Sequence, residues 1–124
     1  MHDRFVKLEK LISEIPAVCS PVASGTYETD VWWVKFSIDT TNPVAWKVVE
    51  VLSYVINYLS ISERLSTVFY PIANPLGDND RADCLEWIIE STAQEFIPNE
   101  LAEWIITRIP ETSDESLWMN FGTV

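Results

Sequence analysis

The sequence predicts a single α+β domain in which a short sheet of two or three strands packs with about four helices. Residues 43–59 have a capped start and helical periodicity, and residues 27–38 alternate between apolar and other side chains. The apolar fraction is 48% over 124 residues. A chain of this length can bury about two-thirds of the surface that its unfolded form exposes. We therefore expect residues 1–110 to form one domain.

The first helix is predicted from Arg4 to Glu14, with Asp3 as its N-cap and Pro16 just beyond its end. Its apolar residues recur at helical spacing and define one buried stripe: Phe5, Leu8, Leu11, Ile12 and Ile15. Residues 16–25 contain two prolines and a Ser-Gly pair, which indicates a loop or a short edge strand.

The clearest predicted strand covers residues 27–38. The side chains expected on its buried face are Trp32, Val34, Phe36 and Ile38. Trp33 falls on the opposite face, which is either covered by another element or open to a partner. A second strand is predicted over residues 67–73, where Pro71 implies an edge position or an early end.

The longest predicted helix begins at Pro43, behind the N-cap Asn42, and reaches Leu59. Trp46 and Tyr54 fall on or beside its polar side. Because this helix connects the two predicted strands, the strands form either a βαβ unit or an antiparallel arrangement.

Two more helices are predicted, over residues 81–92 and after Pro98 as far as Pro110. In the first, Ala82, Leu85, Ile88 and Ile89 would form the apolar side. The tail, residues 111–124, begins acidic and ends with Leu117, Trp118, Met119 and Phe121. It is either docked on the body by these side chains or a flexible segment that engages another molecule.

The formal charge is −11 and is unevenly distributed. Residues 78–124 carry eleven acidic side chains and only two basic ones, Arg81 and Arg108. Such an acidic pole repels phosphate backbones and anionic lipids and accelerates encounter with basic partners. We therefore expect no nucleic-acid or membrane binding. The alternative is that the charge provides solubility alone.

The residue inventory argues against common catalytic and metal sites. The single histidine, His2, lies beside the first residue, and the two cysteines, Cys19 and Cys84, are far apart in the sequence. Two reduced thiols are expected in preference to a disulfide. Acidic residues 78–83 lie beside Gly77, but a loop that caps the next helix explains them better than a cation site. We expect a protein that is not an enzyme and has no metal or cofactor.

A partner-binding surface is predicted from the carboxylates and the indole of the C-terminal third. Its residues are Asp83, Glu86, Trp87, Glu90, Glu100 and Glu103. Acidic groups would steer a basic protein towards the surface, and a desolvated Trp would supply binding energy. The alternative is that Trp87 packs under the tail or against the last helix. Trp46 and Tyr54 form a second candidate patch.

In size, charge and composition the whole chain resembles bacterial immunity proteins and related inhibitors of basic nuclease toxins. The resemblance is one of profile without a shared motif, so it assigns no residues. It implies a cytoplasmic, non-enzymatic protein that occludes a cationic active site. The absence of a secretory signal or a long apolar run also favours the cytoplasm. The competing hypothesis is a homo-oligomeric adaptor or assembly subunit of a bacterial complex, associating through the Trp33 face or the tail.

Overall fold

The computed structural model describes residues 3–29, 31–59, 66–72, 84–93 and 96–121. These residues form an α+β fold with an antiparallel sheet whose described strands have the order β1-β2-β4-β3. The strands are β1 (Val18–Thr26), β2 (Trp32–Asp39), β3 (Thr67–Ile72) and β4 (Cys84–Ser91). The prediction of a two- or three-stranded sheet is wrong, because at least these four strands pair.

The helices of the described residues precede, connect and follow these strands. A 3₁₀ turn over Asp3–Phe5 leads into α1 (Val6–Ser13). Helix α2 (Ala45–Leu52) continues as a π-helix over Ser53–Tyr58. Helices α3 (Pro98–Ile106) and α4 (Glu115–Met119) follow the sheet. None of the helices in the described ranges has the length and apolar character needed to cross a bilayer.

Strand β4 replaces the helix predicted over residues 81–92, so that helix prediction is wrong. The segment satisfies two periods at once: Leu85, Ile88 and Ile89 have helical spacing, whereas Leu85, Trp87 and Ile89 alternate with the intervening residues. Burial of Trp87 against the core selects the second period. The local sequence is compatible with a helix or a strand, and tertiary packing selects the strand.

The two strands connected through α2 are not neighbours in the sheet, because β4 lies between them. Strand β4 pairs antiparallel with both β2 and β3, so β2 and β3 run parallel to each other without being neighbours. Helix α2 therefore lies in the connection between two strands that are separated by a third, and no adjacent βαβ pair forms. Pro71 lies on β3, at the edge of the described sheet, where its missing N–H disrupts no inner ladder.

Residues 16–25, predicted as a loop or short edge strand, contain most of β1, which is an edge strand of the described sheet. Pairing with β2 is interrupted between Cys19 and Ala23, and Pro21 lies within this irregularity, where a proline is tolerated. Strand β2 separates the strands that carry Cys19 and Cys84. Their Cα atoms are therefore about 10 Å apart or more, beyond the range of about 7 Å that a disulfide spans.

One face of the sheet and the inner sides of the helices share a single core. Its centre is aromatic: Phe69 stacks on Trp87 at 4.8 Å and lies 6.1 Å from Phe36 between ring centroids. Trp32 is fully buried, meets Phe5 edge-on and donates its indole N–H to the Phe96 carbonyl oxygen at 2.6 Å. The predicted buried face of β2 and the predicted stripe of the first helix are both in this core.

Candidate functional site

The structure divides the predicted site residues of β4 between the two faces of the sheet. Glu86 and Glu90 are four residues apart on the strand and share one face, whereas Trp87 lies on the other. Trp87 is only 6% exposed and belongs to the aromatic core. It therefore cannot anchor a partner beside these carboxylates. Asp83, the remaining residue predicted for this segment, lies outside the described residues.

Glu100 and Glu103 lie on α3, in the helical layer, and both have local partners. The Glu100 carboxylate accepts the backbone N–H of Ile97 at 3.4 Å, as a third-position residue does when it caps a helix start. Glu103 forms an ion pair with Lys7 of α1 at 3.1 Å, and both side chains are largely exposed. The structure thus does not combine the acidic residues of β4 and α3 into one surface.

The second predicted patch, on α2, is exposed and larger than expected. Trp46 is 57% exposed, Tyr54 is 44% exposed and Tyr58 is 64% exposed. The rings of Tyr54 and Tyr58 stack with centroids 5.4 Å apart, and Phe121 lies 6.1 Å from Tyr54. We call Trp46, Tyr54, Tyr58 and Phe121 the aromatic surface. Trp46, Tyr54 and Tyr58 are exposed along one continuous helix, and the half-buried Phe121 lies on the segment packed against it. Exposed aromatic side chains of this kind are typical of interaction sites.

Tyr58 and Phe121 were not predicted as members of this surface. Tyr58 follows Tyr54 by four residues, a spacing that brings side chains together on a helix, so the sequence did contain this signal. No local pattern connects Phe121 with α2, because 63 positions separate it from Tyr58. Its place depends on how the C-terminal segment folds back.

The C-terminal segment is docked as far as the structure describes it. Trp118 of α4 is fully buried and donates its indole N–H to the carbonyl oxygen of Glu111 at 3.0 Å. Lys47 of α2 donates to the carbonyl oxygen of Phe121 at 2.8 Å and pairs with Glu50 at 3.3 Å. These contacts hold Phe121 beside Tyr54, so interactions within the chain itself form this part of the aromatic surface.

The aromatic surface coincides with the change from α-helix to π-helix. Both stacked tyrosines, Tyr54 and Tyr58, belong to the π-helical turn Ser53–Tyr58. From the same turn, Asn57 hydrogen-bonds both the backbone N–H and the carbonyl oxygen of Phe69 on β3, each at 2.8 Å. The turn is therefore fixed to the sheet edge on one side and presents rings on the other. π-Helical turns frequently occur at functional sites.

The concave features found on the described surface include three open grooves of about 230, 300 and 400 Å³. A groove of about 230 Å³ between α1 and α3 has an apolar base at Leu11, Ala102 and Ile106, with Lys7 and Glu103 at its rim. Sites for small molecules usually enclose about 300–1,000 Å³. In the described part of the chain, no three His, Cys, Asp or Glu side chains are grouped as metal ligands would be. The groove between α1 and α3 is open to solvent, and two lysines and two glutamates line it beside the apolar residues.

Comparison of the chain with protein-family models, with curated proteins and with solved structures found no match. A function can therefore be inferred only from the geometry of the aromatic surface and the charge of the chain.

Proposed function

We propose that the protein is a non-enzymatic binding domain that docks on a basic protein through its aromatic surface. In this proposal it acts as an immunity-type inhibitor of a bacterial toxin. The observation that supports the proposal is the exposure of Trp46, Tyr54 and Tyr58 on one helix. Tryptophan and tyrosine are the side chains that most often dominate binding energy when a partner desolvates them.

The partner's basic character is inferred from charge complementarity. The chain has 19 acidic and eight basic side chains, which give it a formal charge of −11. A cationic partner would be attracted over several ångströms and would associate faster at low salt. Glu50, half-exposed beside Lys47 on α2, adds a carboxylate to the surface itself. Burial of the rings would then control the rate of dissociation.

A matched pair of variants tests this proposal. The tagged chain is used as bait in extracts of its native cells, beside a Trp46→Ala/Tyr58→Ala variant and an Ile106→Ala variant. Ile106 is an exposed aliphatic residue of α3 and serves as the control for loss of apolar surface elsewhere. We expect a protein of high isoelectric point that the wild type and the Ile106→Ala variant retain and the double variant loses.

Capture is followed by an activity measurement on the retained protein. Under the proposal, the partner is toxic when expressed alone, and co-expression of the wild-type chain restores growth. An acidic partner, or equal retention by the double variant, contradicts the proposed surface. A basic partner that is not toxic would support a binding domain but contradict the proposed immunity function.

The second candidate is a homo-oligomeric adaptor, favoured by the same exposed rings, which could face those of a second copy. Association by extension of the sheet at β3 is disfavoured, because Asn57 already bonds both backbone groups of Phe69. Light scattering separates the two candidates. A stable dimer that the Trp46→Ala/Tyr58→Ala variant abolishes supports the adaptor, whereas a monomeric wild type supports a different partner.

A further inference from the structure

A carboxylate on the sheet face opposite the core lies among aromatic side chains from two other strands and from the residue that follows β1. Glu90 of β4 is directly opposite Trp33 of β2 and Val68 of β3 in the antiparallel register. Tyr70 of β3 lies on the same face, and Tyr27 follows the end of β1. We call Tyr27, Trp33, Tyr70 and Glu90 the Glu90 cluster. Because residues opposite each other share a face, these side chains project from the side of β4 that Trp87 does not occupy.

Two phenols hold the Glu90 carboxylate. The Tyr70 hydroxyl donates to Oε1 at 2.5 Å, and the Tyr27 hydroxyl donates to Oε2. Tyr27 is 43% exposed and Tyr70 is 38% exposed, so the arrangement is accessible from solvent. Burial and then the bond to Glu90 raise the pKa of Tyr27 to about 12, and the bond to Glu90 raises the pKa of Tyr70. Both phenols therefore remain donors at neutral pH.

No basic side chain of the described residues neutralises Glu90, since the ion pairs among them are Lys7–Glu103 and Lys47–Glu50. The nearest cation by position, Lys35 on β2, lies 4.8 Å above the ring of Trp33 instead. The Trp33 ring also lies against Gly25, where an added Cβ would be 2.5 Å from a ring carbon. Among the described residues, this face thus holds one cation, Lys35, against an aromatic ring, and none of their basic side chains pairs with Glu90.

From this arrangement we propose that the Glu90 cluster binds the guanidinium group of an arginine side chain. A carboxylate has about four acceptor positions. The two phenols use one on each oxygen, which leaves one on each oxygen for the two parallel N–H donors of a guanidinium. The flat phenol rings beside the carboxylate suit a planar cation better than a compact ammonium group.

This site is separate from the aromatic surface, so it goes beyond the proposed function. Helix α2 contributes its buried residues to the core on the other face of the sheet. Trp46 and the Glu90 cluster therefore lie on opposite sides of the sheet, and loss of one site leaves the other intact. The net charge of the chain favours approach of any cation to both.

The test is a titration of the ¹⁵N-labelled chain with N-acetylarginine amide, monitored by NMR. N-acetyllysine amide is the comparison ligand. We expect the arginine compound to shift the indole N–H signal of Trp33 and the amides around Glu90, and the lysine compound to bind several-fold more weakly. Glu90→Gln, which keeps the size of the side chain and removes its charge, should weaken arginine binding about tenfold or more.

Controls separate this site from general attraction to an acidic protein. Glu86→Gln removes a carboxylate on the same face of the same strand and should leave arginine binding within about twofold. Trp46→Ala should also leave it unchanged, whatever that variant does to a protein partner. The amide spectrum of each variant verifies its fold. Absence of shifts in the wild type, equal binding of both ligands, or full retention in Glu90→Gln would each overturn the proposal.

Discussion

Replacement of Asn57 by alanine tests how the π-helical turn and the sheet depend on each other. The Asn57 side chain makes two hydrogen bonds of 2.8 Å to the backbone of Phe69, one as a donor and one as an acceptor. Each such bond contributes about 1 kcal/mol net. Alanine returns about 0.5 kcal/mol through its higher helix propensity. We therefore expect the free energy of unfolding to fall by about 1.5 kcal/mol.

This loss can be measured by urea denaturation monitored through tryptophan fluorescence. In a domain of this size, 1.5 kcal/mol corresponds to a decrease in Tm of about 6 °C. Asn57→Asp keeps the acceptor for the Phe69 N–H but places a charge against the Phe69 carbonyl oxygen, so it should not restore stability. The control is Tyr58→Ala, which alters an exposed neighbouring ring and should change stability by less than about 0.5 kcal/mol.

Exposure of the β3 edge is the second consequence of Asn57→Ala. The backbone groups of Phe69 would become available to another strand, so light scattering should detect association that increases with protein concentration. The prediction is wrong if Asn57→Ala unfolds at the same urea concentration as the wild type and remains monomeric. The two hydrogen bonds would then neither stabilise the fold nor prevent pairing of β3 with another strand.

Three further measurements test other parts of the fold. Ala17 has a φ of 70°, so Ala17→Gly should raise the free energy of unfolding by about 0.5 kcal/mol in urea, and a decrease would contradict strain there. Trp118→Ala removes a fully buried ring and should cost about 3 kcal/mol or more by the same assay, whereas a loss under 1 kcal/mol would argue against a docked segment. Alkaline absorbance titration should show Tyr27 ionising near pH 12, and Glu90→Gln should lower the pKa of Tyr27 in part, because burial is the larger cause of its shift. Because the pKa of Tyr27 is raised in the folded state, the stability that this shift contributes is present below pH 10 and is lost towards pH 12. A titration in which no tyrosine ionises near pH 12 would refute this prediction.

The pattern of local residues predicted several elements well. Alternation in residues 27–38 identified the buried face of β2, and the stripe of the first helix identified its core side chains. Asn42 was predicted to cap a helix beginning at Pro43, and its side chain does accept the backbone N–H of Val44 at 2.9 Å. Helix α2 begins later, however, at Ala45, and its N-cap Val44 provides no side-chain cap. These features depend on residues within a few positions of each other, so a single sequence contains them.

The candidate sites were predictable only in part. Trp46 and Tyr54 were assigned to the polar side of a helix, and both are exposed. Trp87 was assigned to a helical surface, but it lies on a strand that faces the core. The mistake arises because a run of mixed apolar and acidic residues fits both periods, and only the neighbours that cover one side distinguish them.

By itself, the sequence determined the charge of this protein, its apolar content, the core stripe of the first helix and the buried face of β2. Only the tertiary structure decided that β4 lies between β2 and β3, and that Tyr27, Tyr70 and Glu90 meet on one face. The physical reason is the range of the interactions. Helical periods and caps join residues a few positions apart, whereas strand pairing joins residues tens of positions apart and depends on what the whole core can bury.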